Sequence, residues 1–399
     1  MKRGSTVIFL LAGALALAGC TNSPFSAPPA FTMEGATALR ESGPGVLRLR
    51  FTKTLIEPHR GAYVPVESAS AALDAQNDRI YQGTTQGVLY VFDSAGRQRG
   101  RYDAGGAIEA SPAIDSARRQ MYLPVVDGTI HALDASTLEL KWKEDVGFAV
   151  RNTPVLTDDA LYIVTETDQV NALAREDGAV LWTYRRPPGE QFSVAGQAGL
   201  TLVDGRIYTG FSDGVVVALD ASDGAVLWEA DTSEDVEEVD SNRPSFADVD
   251  VTPVVSGDQV YVASYAAGLY ALSRTNGSVE WRDRDRRAIV KLADAGRWLI
   301  VLSATDGISA IDRTTRETIW KRPIERGSPT SVRVMEENAL LLYGESRGGL
   351  LALTVREGRE VGRLEAGHGF TAQAAVLDGL GAILSNSGSL FVFRVPTAL

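Results

Sequence analysis

The 399-residue chain has 39 basic and 51 acidic residues, a formal net charge of −12 and a single cysteine. Such an acidic chain is a poor candidate for binding nucleic acid, whose phosphates attract basic surfaces. One cysteine excludes a disulfide within the chain, so a fold in an oxidising compartment must depend on its apolar core. The length suffices to bury such a core, either in two or three domains or in one repeat array.

The N-terminal residues have the pattern of a sorting signal. Lys2 and Arg3 form a short basic region, and residues 7–18 are apolar or small throughout. That run suits a signal peptide and is too short to span a bilayer as a mature helix. It ends in Leu-Ala-Gly before Cys20, which looks like the lipobox of bacterial lipoproteins. We therefore predict a lipoprotein signal peptide at 1–19; an ordinary secretory signal with a coincidental cysteine is the alternative.

Lipidation of Cys20 would anchor the chain to a membrane. The thiol would carry diacylglycerol and the amine a further acyl chain such as palmitate, and several chains anchor far more firmly than one. Thr21 follows the cysteine in place of aspartate, which in enterobacterial lipoproteins implies sorting to the outer membrane. Residues 20–45 are rich in Ser, Pro, Ala and Gly, so we predict a lipidated flexible tether. Loss of Lys2 and Arg3 leaves 37 basic and 51 acidic residues, a net charge of −14, so the chain should not bind anionic lipid head groups except through its anchor.

A repeated β-hairpin occupies the rest of the chain. In the clearest copy, residues 213–228, a turn precedes a strand of small and apolar residues, then an Asp-Gly turn and a strand that ends in tryptophan. We predict that these tryptophans pack between neighbouring repeats, because large aromatic side chains usually serve burial. Five of the six tryptophans follow an alanine by ten residues and occupy this position, Trp298 being the exception: Trp142, Trp182, Trp228, Trp281 and Trp320.

Weaker copies at 87–93, 349–354 and 388–393 bring the number of repeats to eight. The turns are spaced 39 to 54 residues apart, and periods near forty are typical of four-stranded propeller blades. A helical solenoid would need apolar residues at three-to-four spacing, which glycine and aspartate interrupt here. We therefore predict an all-β fold over 46–399, an eight-bladed β-propeller with four-stranded antiparallel blades. The last copy lacks room for a fourth strand, so the N-terminal segment 46–52 is predicted to supply it and close the ring.

The hairpin is similar to the A-x-D-x-x-T-G-x-x-x-W repeat of pyrroloquinoline-quinone-type (PQQ-like) propellers. Ala218, Asp220, Gly224 and Trp228 fill that pattern best, with Asp223 in place of threonine. Two families then become candidates, the quinone-dependent alcohol dehydrogenases and the BamB family, whose members are propeller lipoproteins of the outer-membrane β-barrel assembly machinery. The chain resembles the BamB family over nearly its full length, in its signal, tether, eight repeats and size.

The residues do not favour the dehydrogenases or another class of enzyme. Those dehydrogenases use a vicinal cysteine pair, and many carry a haem-binding C-x-x-C-H motif; a single cysteine supplies neither. His59, His131 and His368 are too far apart for a local metal motif, and no H-E-x-x-H, G-x-S-x-G or phosphate-binding glycine loop is present. We predict a protein without enzymatic activity, catalytic residues, metal or cofactor, although carboxylates distant in sequence can still meet in space.

The resemblance implies two loops that contact the periplasmic domains of the barrel-inserting subunit, BamA. In the BamB family one loop carries a D-V-D motif, whose aspartates correspond here to Asp248 and Asp250. A second family loop reads like L-S-L-R-G. Ala195 stands where that loop has its arginine, which removes a forked donor for a partner's carboxylate or carbonyl. The rest of the matching stretch implies three further contact residues: Phe192, Val194 and Gly196.

Both stretches suit contact sites on physical grounds as well. The 54-residue spacing before the fifth repeat marks an insertion, and extra length in a propeller lies in surface loops. Residues 229–250 hold nine acidic side chains and one basic side chain, Arg243, which would steer a basic partner toward this loop. For 231–240, a solvated acidic loop without a partner is the alternative. Phe192 follows Arg-Arg-Pro-Pro-Gly, so exposure and burial both remain open.

These features predict an outer-membrane lipoprotein on the periplasmic face, a scaffold that binds a BamA-like subunit. It would assist the folding and insertion of outer-membrane proteins, and nascent outer-membrane proteins are a further candidate partner through strand edges or a concave face. The alternative is a stand-alone periplasmic PQQ-like propeller lipoprotein whose central channel binds a sugar or a quinone. A third hypothesis is a cofactor-bearing enzyme.

Overall fold

The computed structural model describes residues 45–57, 66–186, 197–233 and 246–396. These residues form eight antiparallel sheets of four strands each, arranged as the blades of a propeller. The predicted all-β, eight-bladed fold is therefore confirmed. A one-turn 3-10 segment, Glu336–Asn338, connects two strands of the seventh blade.

In blades 1 to 7 the strands follow one another from the central channel outward. Blades 1 to 4 comprise β2 (Ala72–Asp74), β3 (Arg79–Gln82), β4 (Val88–Phe92) and β5 (Gln98–Asp103); β6 (Ala113–Asp115), β7 (Gln120–Pro124), β8 (Thr129–Asp134) and β9 (Leu140–Asp145); β10 (Val155–Leu156), β11 (Ala160–Thr165), β12 (Gln169–Ala174) and β13 (Val180–Arg185); and β14 (Thr201–Val203), β15 (Arg206–Gly210), β16 (Val215–Asp220) and β17 (Val226–Asp231). Blades 5 to 7 comprise β18 (Val254–Ser256), β19 (Gln259–Ser264), β20 (Gly268–Ser273) and β21 (Val279–Asp283); β22 (Ile289–Ala295), β23 (Trp298–Ser303), β24 (Gly307–Asp312) and β25 (Thr318–Arg322); and β26 (Pro329–Met335), β27 (Leu340–Glu345), β28 (Gly349–Thr354) and β29 (Glu360–Glu365).

The eighth blade is built from both ends of the chain. It comprises β30 (Ala375–Leu377), β31 (Leu380–Leu384) and β32 (Ser389–Arg394), and its outermost strand is β1 (Arg48–Thr54). β1 pairs antiparallel with β32, so the N-terminal strand closes the ring as predicted from 46–52, although the strand begins at Arg48. Leu47, just before it, is buried against blade 7 and blade 8. The ends of the chain thus hold the last blade in place.

The apolar core lies between the blades. Clusters of buried side chains occupy each space between neighbouring blades, and one large cluster joins blades 7, 8 and 1. The cluster between blades 4 and 5 includes Tyr208 and Val216 of blade 4 and Val260 and Tyr270 of blade 5. Both faces of every sheet are covered by neighbours, so the ring has many small cores that depend on one another.

The five repeat tryptophans lie on the outermost strands of blades 2 to 6, each paired directly with the alanine of the adjacent strand. The small alanine leaves room for the indole ring. Four of the rings cover a glycine of the next blade, at which an added Cβ would overlap the indole: Gly178, Gly224, Gly277 and Gly358. The same four indole nitrogens donate hydrogen bonds of 2.8–3.1 Å to carbonyl groups of the next blade: those of Arg175, Ala221, Arg274 and Val355.

Adding a methyl group at Gly224 should destabilise the protein through Trp182. Gly205 is a matched control, because its φ of 70° resembles the 75° of Gly224 but an added Cβ would meet nothing within 4 Å. We expect G205A to lower the free energy of unfolding by about 1–2 kcal/mol through its left-handed backbone. G224A should lower it by about 2 kcal/mol more, because the ring must move. Urea denaturation of both variants measures the difference, and equal losses would contradict the role of this contact.

Candidate partner-binding site

Two kinds of connection lie on one face of the ring. Because the strands are antiparallel, the turns between second and third strands lie at the same end as the links to the next blade. We call this the connection face. The links between blades 3 and 4 and between blades 4 and 5 lead into the two predicted docking loops. Several predicted residues and segments lie outside the described residues: the signal peptide, the tether with Cys20, Phe192, Val194, Gly196 and residues 234–245.

The described part of the D-V-D loop repeats a motif of other links. Residues 107–112, 149–154 and 248–253 share a pattern: a variable first residue, a branched apolar residue, a charged residue, a variable residue, Ser or Thr, and Pro. In each link the carbonyl of the first residue accepts a hydrogen bond of 2.9 Å from a backbone N–H of the following turn. For Asp248 the donor is the N–H of Tyr265. The branched residue is buried between blades. The D-V-D segment is therefore a regular link with unusual side chains.

Val249 fixes the D-V-D segment between blades 4 and 5. Its backbone N–H donates a hydrogen bond of 3.0 Å to the carbonyl of Phe211, in the neighbouring turn. Its side chain is fully buried in the apolar cluster between these two blades. Gly210 permits this approach, because an added Cβ would overlap Val249. The two aspartates thus flank an anchored valine.

The two aspartates differ in exposure. Asp248 is only 1% exposed, at the motif position that holds the buried Ala149 in the link between blades 2 and 3. Asp250 is partly exposed, and its motif position is charged in the other two copies, Glu109 and Arg151. From the sequence, both aspartates were predicted to contact a partner. The structure makes Asp250 the more accessible carboxylate and places Asp248 within the protein.

Asp250 lies among other carboxylates. Burial and the charges of Asp248 and Asp168 raise its pKa to about 7, against the opposite effect of Lys291. Burial lowers the pKa of Lys291, and Asp250 counteracts this shift. Near neutral pH Asp250 is therefore only partly ionised, and a cation brought by a partner would favour its ionised form. The arrangement suits recognition of a basic group.

Two features connected to this segment were not predicted from the sequence. Arg186 forms ion pairs with Asp213 at 2.7 Å and with Glu229 at 3.3 Å. Tyr265 is 37% exposed and packs edge-on against Phe246, with ring centres 6.1 Å apart. Alignment of the repeat turns could have placed Tyr265 beside the D-V-D segment. Arg186 has no sequence signal beyond its position before a Pro-Pro pair.

Two of the three histidines lie among the described residues. His131 is buried, with Nδ1 2.9 Å from the hydroxyl of Tyr102 and Nε2 3.0 Å from that of Thr129, and burial lowers its pKa to about 4. His368 lies in the link between β29 and β30, and His59 lies outside the described ranges. In those ranges no three His, Cys, Asp or Glu residues could together hold a metal ion. Nor is any helix there long and apolar enough to cross a membrane.

A polar cavity of about 300 Å³ lies in the central channel. Its lining includes polar residues from five different blades: Ser70, Ser111, Thr153, Arg333 and Gln373. A small ligand would occupy this cavity if the chain were a ligand-binding propeller. The cavity is lined by inner strands and by the ends of several links, and Ser111 and Thr153 hold the motif position that Thr252 holds in the D-V-D link.

Comparison with known proteins gives consistent matches to one family. The model of the family described as outer membrane protein assembly factor BamB matches residues 85–322. Relatives with that description include a protein of Shewanella oneidensis, 25% identical over 285 residues and 71% of each chain. Another, from Bordetella pertussis, is 23% identical over 399 residues, which cover 98% of this chain and 97% of the relative.

Solved structures share the propeller fold. BamB from Moraxella catarrhalis matches with a TM-score of 0.71 at 22% identity, covering 88% of this chain and 100% of its own. A quinohemoprotein alcohol dehydrogenase from Pseudomonas putida matches with a TM-score of 0.65 at 12% identity, covering 88% of this chain and 76% of its own. At such identities these structural matches establish the fold alone.

Replacing Asp250 with asparagine should stabilise the protein above neutral pH. Because the folded state raises this pKa from 3.8 to about 7, it holds a proton that the unfolded chain releases, and stability falls as pH rises through that interval. D250N removes the cost, so we expect its free energy of unfolding to exceed that of the wild type by about 2 kcal/mol at pH 8.

At pH 4 the two proteins should be equally stable, since Asp250 is then protonated in the folded state. Urea denaturation from pH 4 to pH 8 measures the difference. D231N is the control, because Asp231 is exposed on β17. If the free energies of unfolding of D250N and the wild type differed by the same amount at every pH, the raised pKa of Asp250 would be contradicted.

Proposed function

Because the chain belongs to the BamB family of outer membrane protein assembly factors, we propose that it is a scaffold of the β-barrel assembly machinery. It binds the periplasmic domains of a BamA-like barrel-inserting subunit and assists the folding and insertion of outer-membrane proteins. The family match over residues 85–322 carries this proposal. It acts as a binding protein and not as an enzyme, which the relatives' description as assembly factors supports.

Membrane attachment through Cys20 fits this function. Lipidation at that residue would hold the propeller on the periplasmic face of the outer membrane, where an assembly factor for outer-membrane proteins acts. The tether over 20–45 would let the propeller reach domains of a membrane-bound partner. The proposal for the anchor rests on the sequence pattern at the N-terminus.

The two aspartates have different roles in the proposed interface. Asp250, partly exposed, contacts a basic group of the partner directly. Asp248, which is buried, supports the segment from within through its backbone carbonyl, which accepts a hydrogen bond from Tyr265. The exposed Glu229 and Asp231 extend the negative surface and would accelerate encounter with a basic partner more than they would tighten the complex.

Binding of the partner should strengthen as pH rises through about 7. A basic group favours ionised Asp250, so complex formation releases the proton that this residue holds. Between pH 6 and pH 8 we expect the Kd for purified BamA periplasmic domains to fall by about tenfold for the wild type. D250N should bind more weakly, with little change over this range, whereas D231N should keep the wild-type pH dependence.

Isothermal titration calorimetry with the lipoprotein in mild detergent, at constant ionic strength, measures these constants. Replacing both Asp248 and Asp250 with alanine should weaken binding further. Unchanged binding by this double variant would show that the site is wrongly assigned.

Nascent outer-membrane proteins are a second proposed partner, supported by the outer strands. In blades 2 to 6 these strands have no further described strand along their outer edge. Seven exposed apolar side chains lie at their first two positions: Leu140, Val180, Leu181, Val226, Leu227, Val279 and Ile319. An open strand edge beside apolar side chains suits an extended segment of a client chain with alternating apolar residues.

Charges placed on this edge should weaken client binding. The measurement is light scattering by an unfolded outer-membrane protein, whose aggregation the wild type is expected to suppress. We expect the double variant L181E/L227E to lose at least half of this suppression. L377E is the control, because Leu377 is also exposed, at 40%, but lies on an innermost strand. Equal protection by both variants would contradict a role for the outer strands.

A further inference from the structure

Arg186 connects the end of blade 3 to blade 4. Its side chain is 17% exposed. Nε donates a hydrogen bond of 2.7 Å to a carboxylate oxygen of Asp213, and Nη1 lies 3.3 Å from Glu229 Oε1 and 3.3 Å from the hydroxyl of Tyr184. The guanidinium carbon lies 5.9 Å from the centre of the Phe211 ring. One side chain thus contacts both a turn and the outer strand of blade 4.

The turn at 211–214 is held by blade 3 at further points. The side chain of Asp168 accepts hydrogen bonds from the hydroxyl of Ser212 and from its backbone N–H, the latter at 3.2 Å. The ring of Tyr184 packs on that of Phe211, with centres 5.9 Å apart. Because these contacts surround a turn of only four residues, they fix its position relative to blade 3.

The same turn is hydrogen-bonded to the D-V-D segment. The carbonyl of Phe211 accepts the hydrogen bond from the N–H of Val249, and Asp250 is the next residue. The charge of Asp168 also contributes to the raised pKa of Asp250, as expected for two carboxylates that lie near each other. From Arg186 to Asp250 the connection consists of one side chain, one turn and one backbone hydrogen bond.

We infer that Arg186 is a positioning residue of the partner-binding site, which holds the turn at 211–214 and thereby sets where Asp250 meets a basic group of the partner. This inference rests on the proposed function. It adds a residue outside both family motifs, at a site that the partner need not touch.

The forked guanidinium is what this position requires. It reaches two carboxylates and a hydroxyl while its plane lies near an aromatic ring, whereas a lysine ammonium is a single compact charge. A lysine at 186 would keep the charge but could not hold Asp213 and Glu229 together in the same geometry. The lysine variant therefore separates positioning from simple electrostatic attraction.

Arg175 provides a matched control. It binds Asp115 at 2.6 Å, donates a hydrogen bond of 3.0 Å to the hydroxyl of Tyr122 and lies 5.4 Å from the centre of that ring. It lies between blades 2 and 3 on the face opposite the connection face, since it follows β12. Its side chain is 6% exposed, so loss of Arg175 should destabilise the fold at least as much as loss of Arg186.

The test compares R186Q, R186K and R175Q in the full lipoprotein in mild detergent. Calorimetry gives the Kd for purified BamA periplasmic domains, and hydrogen exchange with mass spectrometry gives the protection of the Val249 amide. We expect R186Q and R186K to bind about five- to tenfold more weakly and to exchange faster at Val249. R175Q should stay within twofold of the wild-type Kd, with wild-type exchange at Val249, even if its melting temperature falls further.

Three outcomes would overturn the inference. If R186K bound like the wild type while R186Q did not, charge alone would explain the effect. If R175Q lost as much affinity as R186Q, the cause would be general destabilisation. If Val249 exchanged normally in R186Q, the turn would not depend on Arg186. Failure of the wild type itself to bind the BamA domains would instead contradict the proposed function, and Val249 exchange would still test the role of Arg186.

Discussion

A propeller blade with strands of two to seven residues buries too little on its own, so contacts between the faces of neighbouring blades stabilise the whole ring. Each space between blades contains its own apolar cluster. Indole side chains strengthen four of these contacts, because each donates a hydrogen bond across the gap and covers a glycine. Pairing of β1 with β32 completes blade 8, so that no blade lacks a neighbour.

Blades without the tryptophan show that the combined volume of the contact matters more than its residue types. In blade 1, Gly100 occupies the tryptophan position, and Leu138 of blade 2 stands where later blades have glycine. Leu138 fills the space, since an added Cβ at Gly100 would lie 2.7 Å from its Cδ1. The large residue of this contact therefore lies in the following blade and the small one in the preceding blade, the reverse of the arrangement in later blades. At Trp281 the glycine is replaced by Arg316, whose guanidinium lies 5.8 Å from the centre of the indole ring.

The fold was predictable because one backbone repeat determines strand number, blade order and closure, and alanine–tryptophan spacing reports that repeat directly. The partner-binding site was less predictable. The D-V-D motif does not distinguish Asp248 from Asp250. Only comparison with residues 149–154 aligns Asp248 with the buried Ala149 and Asp250 with a charged position. The contacts of Arg186 join residues 27 and 43 positions apart. They depend on the directions of side chains on two blades, which the repeat pattern does not specify.

Rigid attachment and partial burial act together on Asp250. A carboxylate held near other carboxylates, with part of its surface removed from water, ionises less readily than a free one even with Lys291 nearby, and a further cation would favour its ionised form. If the segment could turn outward, the carboxylate would be hydrated, and a basic partner would gain less by approaching it. Val249, buried between two blades, prevents this movement because its side chain and its amide are both fixed. The packing that closes the ring therefore also creates the electrostatic property on which the proposed interface depends.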